Sequence, residues 1–313
     1  MARVLRSPVD SLSCTLLPAS CTLCGSPLPQ LSAVPICAAC WSEFPLQAGP
    51  ACARCGDNLD TFIDTFIDTF IPDAFFPDSN PATASLCRAC RLAPPHFVRA
   101  VAFGLYQDRM KAAIHAFKYD RMHPAARALG RMLAQAIAQL AGEAPTEMLV
   151  IPVPLHRSKH AERGFNQARA LAESALGFLR KSHPEWRLTL ASSTLMRLRP
   201  TTSQAGLTAR QRRLNVRGAF SVSDRAAVDG KHILLIDDIL TTGATARAAA
   251  QALVRAGAAS VWVATLARAR RDNESYRGAD FQEEENELAG VGANAVAGNT
   301  ELLDSSSQDQ PSF

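Results

Sequence analysis

The chain is expected to fold as an α/β domain with a mainly parallel sheet, preceded by a small cysteine-rich module. Three observations predict this. Behind residue 96, short apolar runs alternate with stretches of helical periodicity. One run, Ile233 to Ile236, is apolar at every position, as a strand buried on both faces requires. Eight of the nine cysteines fall in four C-x-x-C pairs, all before residue 91.

The cysteine module comes first along the chain. Two thiolates two residues apart can hold one tetrahedral Zn²⁺, and Gly25 and Gly56 permit the knuckle turn behind two of the pairs. Taken in sequence order the pairs make two Cys₄ sites, Cys21, Cys24, Cys37 and Cys40, then Cys52, Cys55, Cys87 and Cys90. A cross-braced arrangement, first pair with third, is the alternative. A thioredoxin-like redox centre would need a βαβ setting that these pairs lack. Disulfides do not suit a cytoplasmic chain. The segment is rich in Pro, Ser and Ala, so two structural zinc ions must supply much of its folding energy. Cys14 stands outside the pairs, near Leu12 and Leu16, and reads as a small buried residue. Between Cys55 and Cys87 the tetrapeptide Asp-Thr-Phe-Ile occurs three times without a break, from Asp60 to Ile71. So short an array is no solenoid; it reads as a duplication that lengthens a loop, and an apolar patch for a partner is the other reading.

The α/β domain follows. Val98 to Tyr106 reads as a strand, and Asp108 as the cap of a helix through Phe117. A second helix spans about Pro124 to Leu140, and Met148 to Val153 is the next strand. A helix from near Glu162 to Leu179 follows, then strands near Leu188 and at Ala219 to Ser221. The strand of Ile233 to Ile236, a helix ending at Gly257 and a last strand from Val261 to Leu266 complete it. In such a fold ligands bind at the carboxyl ends of the strands.

The chemistry concentrates at one of those ends. Asp237 and Asp238 follow the apolar strand, and Thr241, Thr242, Gly243, Ala244 and Thr245 form a turn of small residues that opens a helix. A helix start with small residues offers backbone N–H groups to a phosphate, and threonine hydroxyls add donors. Paired carboxylates can accept from two vicinal hydroxyls, directly or around a hydrated Mg²⁺. Together these grips fit a ribose 5-phosphate, whereas an ordinary capped turn would account for one Asp and not two. Lys118, at the end of Phe117-Lys118-Tyr119, is a candidate for a phosphate contact. The seven histidines form no metal-binding or triad pattern.

Ile233-Leu-Leu-Ile-Asp-Asp-Ile-Leu-Thr-Thr-Gly-Ala-Thr245 resembles the phosphoribosyl-pyrophosphate (PRPP) signature of type I phosphoribosyltransferases. Ile151-Pro-Val-Pro-Leu-His156, Arg163-Gly-Phe-Asn-Gln167, Arg199-Pro-Thr-Thr-Ser-Gln-Ala-Gly-Leu207, Arg213-Leu-Asn-Val-Arg-Gly-Ala-Phe220 and the cysteine-rich front narrow the resemblance to the competence-associated ComF family. It covers about residues 14 to 270. The tandem repeat departs from it, since the family's loop there is shorter.

The resemblance implies a Rossmann-like type I phosphoribosyltransferase fold with these parts: a double zinc-ribbon domain over 1–95, a phosphoribosyltransferase-like domain over 96–271 and an acidic tail over 272–313. It implies PRPP and Mg²⁺ as ligands and displacement of pyrophosphate at the anomeric carbon. Arg157, Lys159 and Arg163 would lie where the family has its pyrophosphate loop; a solvated basic helix start is the plainer reading of the same residues. The stretch from Arg197 to Arg213, holding Ser203 and Gln204, resembles the hood that closes over PRPP, and a basic loop against nucleic acid is the reading beside it. The family points to DNA uptake in natural competence, with the acceptor base unidentified. The alternative is a PRPP-sensing adaptor without turnover that binds single-stranded DNA and competence proteins.

Charge adds a modest argument. From Asp272 onward ten acids face Arg277 alone, a net of −9, so the first 271 residues carry +13 of a chain whose formal charge is +4. Such a body favours phosphates. The tail, also rich in Ser, Gly, Asn and Gln, has the composition of a disordered segment. No apolar run approaches the length of a membrane span, and the N-terminus lacks the apolar core of a signal peptide, so a cytoplasmic location without membrane insertion is expected.

Overall fold

In the computed structural model, residues 19–30, 32–59, 86–119, 122–200 and 209–270 are described. Cys14, the tandem repeat, Ser203, Gln204 and the acidic tail lie outside the described residues. The cysteine module contributes two short helices, α1 (Ala38–Ser42) and α2 (Arg88–Leu92), each running from the second cysteine pair of its group. There follow β1 (Ala100–Leu105), α3 (Asp108–Tyr119), α4 (Ala125–Ala138), β2 (Glu147–Pro152), α5 (Arg157–Arg163), α6 (Gln167–Ser182) and β3 (Arg187–Leu190). The chain continues through β4 (Leu195–Arg197), α7 (Ala209–Val216), β5 (Phe220–Val222), β6 (His232–Leu240), α8 (Ala244–Arg255) and β7 (Ser260–Arg268).

Five strands form one sheet in the order β1-β7-β6-β2-β3, and every pairing is parallel. β4 and β5 pair antiparallel as a separate two-stranded ribbon. From β2 the chain moves outward to β3, and from β6 it moves the other way to β7. The order therefore reverses between β2 and β6, the place where open α/β sheets bind ligands.

Alternation along the central strands explains why they are apolar at every position. Leu234 and Ile236 of β6 join Ala264 and Leu266 of β7 in a core with α3, α4 and α6. Ile233 and Leu235 join Val261 and Val263 in a second core, against Ala246, Ala249 and Leu253 of α8. Successive side chains leave a strand on opposite faces, so a strand covered on both sides can spare neither set.

Each expected regular element is present, with differences at three places. The helix expected from near Glu162 to Leu179 begins only at Gln167, because the backbone turns left-handed at Gly164 and the Asn166 side chain accepts from the Arg169 N–H to cap a fresh start; the basic stretch before it forms the separate helix α5. The segment expected to end at Ile236 continues as strand to Leu240, since β7 keeps pairing with it as far as Arg268. β4 and α7 were not foreseen from the apolar pattern; three residues and a mean hydropathy well below zero leave little periodic signal.

The cysteines group in sequence order rather than cross-braced. Within each set the four Sγ atoms all lie within 4.8 Å of one another. Cys21–Cys40 and Cys24–Cys37 stand at 3.7 Å and Cys55–Cys87 at 3.6 Å. Tetrahedral zinc with bonds of ~2.3 Å sets its sulfurs about 3.8 Å apart, so the donor sets fit the ion. Neither set is confined to a module of its own. Cys21 and Cys40 belong to the core on one face of the sheet, and Cys52, Cys55, Cys87 and Cys90 to the core on the other. The zinc modules thus borrow the apolar core that their own composition denies them.

The junction is also made by backbone. Leu46 bridges Gly104 antiparallel and the Leu105 N–H donates to the Pro45 carbonyl at 2.8 Å, so the first module covers the free edge of β1. A side chain at Gly104 would meet the Pro45 oxygen at 2.4 Å, which leaves room for glycine alone.

Elemental analysis of protein made under reducing conditions is expected to find two zinc per chain. The Cys21/Cys24/Cys37/Cys40 ion should leave first to a chelator, because Cys24 is exposed while all four ligands of the other site are buried. Cys52→Ser should lower the stability of the whole described unit by about 3 kcal/mol or more, and not only that of residues before His96.

Candidate functional site

A cavity of about 350 Å³ opens at the topological switch point. It exists because β2 stops pairing at Pro152, opposite Ile236, while β6 runs on beside β7 to Leu240. The overhanging stretch carries Asp237 and Asp238 into the cavity wall. Facing them are Lys118 from the end of α3, Lys159 and Arg163 from α5, Arg197 from β4 and Arg212 from α7. Two carboxylates are thus set among five cations.

The carboxylates differ. Asp238 holds Lys118 at 2.6 Å, with both side chains largely buried, so its charge is met. Asp237 accepts the N–H of Asp238 at 2.9 Å. Burial, and then the charge of Asp238, push Asp237 up to about 7; the N–H, Lys118 and Arg197 pull it the other way without prevailing. Burial draws the Arg197 guanidinium below its ordinary value, with Asp237 opposing, and its plane lies 5.4 Å over the Phe220 ring. Burial raises Tyr106 at the same wall, against the nearby Lys118.

Beyond Leu240 the chain turns into α8. Gly243 sits at φ +77°, a left-handed conformation that a side chain would strain, and as the N-cap residue it brings no side chain to the helix that follows. A Cβ at this position would meet only Leu240 Cδ1, at 3.8 Å, so on the protein side the requirement is backbone conformation and not space. The start of a twelve-residue helix therefore faces the cavity with Thr241, Gly243, Ala244 and Thr245 in the wall. Thr242 is turned to a local task, its hydroxyl accepting from the Ala244 N–H.

Arg163 is held by its neighbours, donating to Gln167 Oε1 at 3.1 Å and to the Tyr119 hydroxyl at 3.0 Å. Gln167 is almost fully buried in the wall, and its amide nitrogen has no partner among the described residues. Asn166 plays a different part: it donates to the Val153 carbonyl at 3.1 Å and caps α6, pinning that helix to the end of β2.

Known proteins agree with this architecture. Residues 12–91 match the double zinc ribbon domain and residues 162–293 the phosphoribosyl transferase domain. The chain is 32% identical over 254 residues to the DNA utilization protein YhgH of Salmonella typhi, an alignment covering 80% of this chain and 98% of that protein. It is 26% identical over 237 residues to competence protein F of Haemophilus influenzae, covering 75% and 90%. This chain belongs to the ComF family. Among solved structures it is similar to a glutamine PRPP amidotransferase from B. subtilis, at 28% identity and a TM-score of 0.27, over 45% of this chain and 26% of that one. The fold of this ComF protein is that of a type I phosphoribosyltransferase behind a double zinc ribbon.

Of the residues singled out from sequence, the structure brings together Lys118, Lys159, Arg163, Arg197, Asp237, Asp238, Thr241, Gly243, Ala244 and Thr245. Arg157 is exposed at the start of α5 and is not in the wall, and Ser203 and Gln204 are outside the described residues. Tyr106 was given no place at the site from sequence, and His156 and Arg212 fell within stretches set around it without being singled out. Only His156 carried a usable signal, as the residue that both follows the Pro-Val-Pro stretch and caps α5.

The raised Asp237 makes a test. Its folded value of about 7 stands above the ordinary 3.8, so its contribution to stability is present below pH 4 and lost as pH rises through 7. Asp237→Asn escapes that loss. Thermal melts should find the variant more stable than the parent at pH 8, by up to ~4 kcal/mol, with the difference closing by pH 4.

Proposed function

We propose that the cavity binds PRPP with Mg²⁺ and that this ComF protein uses it in the handling of DNA. The observation that carries the reading is the Asp237–Asp238 pair beside the left-handed glycine turn that opens α8, inside a wall of cations. The carboxylates would accept the ribose hydroxyls, and the 241–245 turn would take the 5-phosphate. Lys159 and Arg163, both in the wall, would neutralise the pyrophosphate. Mg²⁺ would add positive charge at the pyrophosphate oxygens, and Asp237, whose proton a cation would displace, is the group best placed to favour it. Departure of pyrophosphate leaves an oxocarbenium-like centre that needs stabilising charge and exclusion of water, and no protein nucleophile.

Asp237→Asn combined with Asp238→Asn should lower Mg²⁺–PRPP affinity at least 100-fold by calorimetry while circular dichroism stays unchanged. Equal affinity in parent and variant would overturn the site. Release of pyrophosphate with one of a panel of bases marks a transferase. Tight binding without release marks a sensor instead, the second reading, which draws support from the names of the relatives and the +13 body.

Single-stranded DNA is expected to bind weakly, with an affinity that falls steeply as salt rises, because basic side chains release counterions on binding. Truncation after Arg271 removes a net −9 and should tighten it. Salt-independent binding would remove the electrostatic basis for this role.

A further inference from the structure

Arg268, the last residue of β7, is 2% exposed and heads the large side chains that are fully buried. Burying a guanidinium is unfavourable unless its charge and its donors are all met. Here the two terminal nitrogens are met from two directions, while Nε has no partner among the described residues. One nitrogen donates to the carbonyls of Leu240 and Thr241, where β6 gives way to the turn. The other pairs with Asp57 Oδ2 at 3.1 Å and approaches Cys55 Sγ at 4.0 Å. Asp57 lies two residues beyond Cys55 in the knuckle, where its carbonyl accepts the Cys52 N–H at 2.7 Å. A second guanidinium repeats the link: Arg247 of α8 donates to the Ala93 carbonyl and reaches Cys90 Sγ at 3.7 Å.

We infer that Arg268 is a positioning residue for the 241–245 turn and ties its shape to the Cys52/Cys55/Cys87/Cys90 group. This rests on the reading of that turn as the phosphate grip. A tetrathiolate zinc carries two formal negative charges, so the group presents Arg268 with an anionic anchor on the side away from the turn. Held there, the guanidinium fixes the two carbonyls that precede the turn, and a peptide whose carbonyl is fixed has its neighbouring N–H groups aimed as well. Arg247 fixes the helix on the other side of the turn to the same group. The second zinc module then acts at the ligand site without touching the ligand.

The test uses the full zinc-loaded chain and reads hydrogen exchange at 241–246 beside PRPP affinity. Arg268→Met keeps the length and apolar bulk of the side chain and loses the donors. Its turn amides should exchange at least tenfold faster, with exchange in β2 and β3 unchanged, and Mg²⁺–PRPP should bind at least tenfold more weakly. Arg268→Lys, which can still donate to both carbonyls, should recover most of each. Asp57→Asn leaves Arg268 and all four cysteines in place and should speed exchange in the turn at least threefold. It also decides the matter should Arg268→Met fail to fold. Turn exchange at the parent rate in Asp57→Asn, or in a folded Arg268→Met, overturns the inference. A parent protein that binds no PRPP would instead defeat the phosphate reading, and the exchange contrast would still decide the positioning role.

Discussion

Strand β6 keeps β7 as a partner through Leu240 but loses β2 after Ile236. The cavity and the placing of the two carboxylates follow from that unequal pairing. Up to Ile236 the strand is buried on both faces and must be apolar. Past it, one edge is open, and polar side chains become tolerable where they would otherwise be ruinous. The change from Ile236 to Asp237 in the sequence marks the point where the neighbour ends.

A parallel sheet buried on both faces needs cover on both faces, and here the cover is unlike on the two sides. Helices α3, α4 and α6 with the first cysteine group lie on one, and α8 with the second group on the other. Guanidinium groups from the sheet-bearing part reach sulfur in each case: Arg109 to Cys40 at 3.3 Å, and Arg247 and Arg268 to Cys90 and Cys55. Arg109 is at the same time paired with Glu43 at 2.7 Å. Thiolates in an apolar setting need positive charge beyond that of one metal ion, and arginine supplies it with directed donors.

Much of this was legible in the residues. The all-apolar run of Ile233 to Ile236 announced a doubly covered strand, the cysteine spacing announced two four-cysteine donor sets while leaving their pairing open, and the small-residue turn announced a helix start at the site. What was not legible has a common physical cause: it depends on residues distant in sequence. The wall positions of Tyr106 and Arg212 arise from the folding together of separate elements. A buried arginine such as Arg268 reads, in isolation, as one more surface charge at the end of a strand. The extension of β6 to Leu240 is decided by β7, so the carboxylates looked as if they lay beyond the strand when they lie within it. The break at Gly164 could have been read from Gly-Phe-Asn, a glycine stop followed by a capping asparagine.

The close approach of Pro45 to Gly104 leaves the sheet with unequal borders. On the β1 side outward hydrogen-bonding groups are already engaged by a segment of the same chain, while β3 at the opposite border has no strand beyond it among the described residues. An uncovered strand border is a template for a strand from another molecule, and a covered one is not. The first module therefore does the work of an end-stop. A chain relieved of its cysteine-rich front would bare the β1 border, whose hydrogen-bonding groups the intact protein keeps engaged.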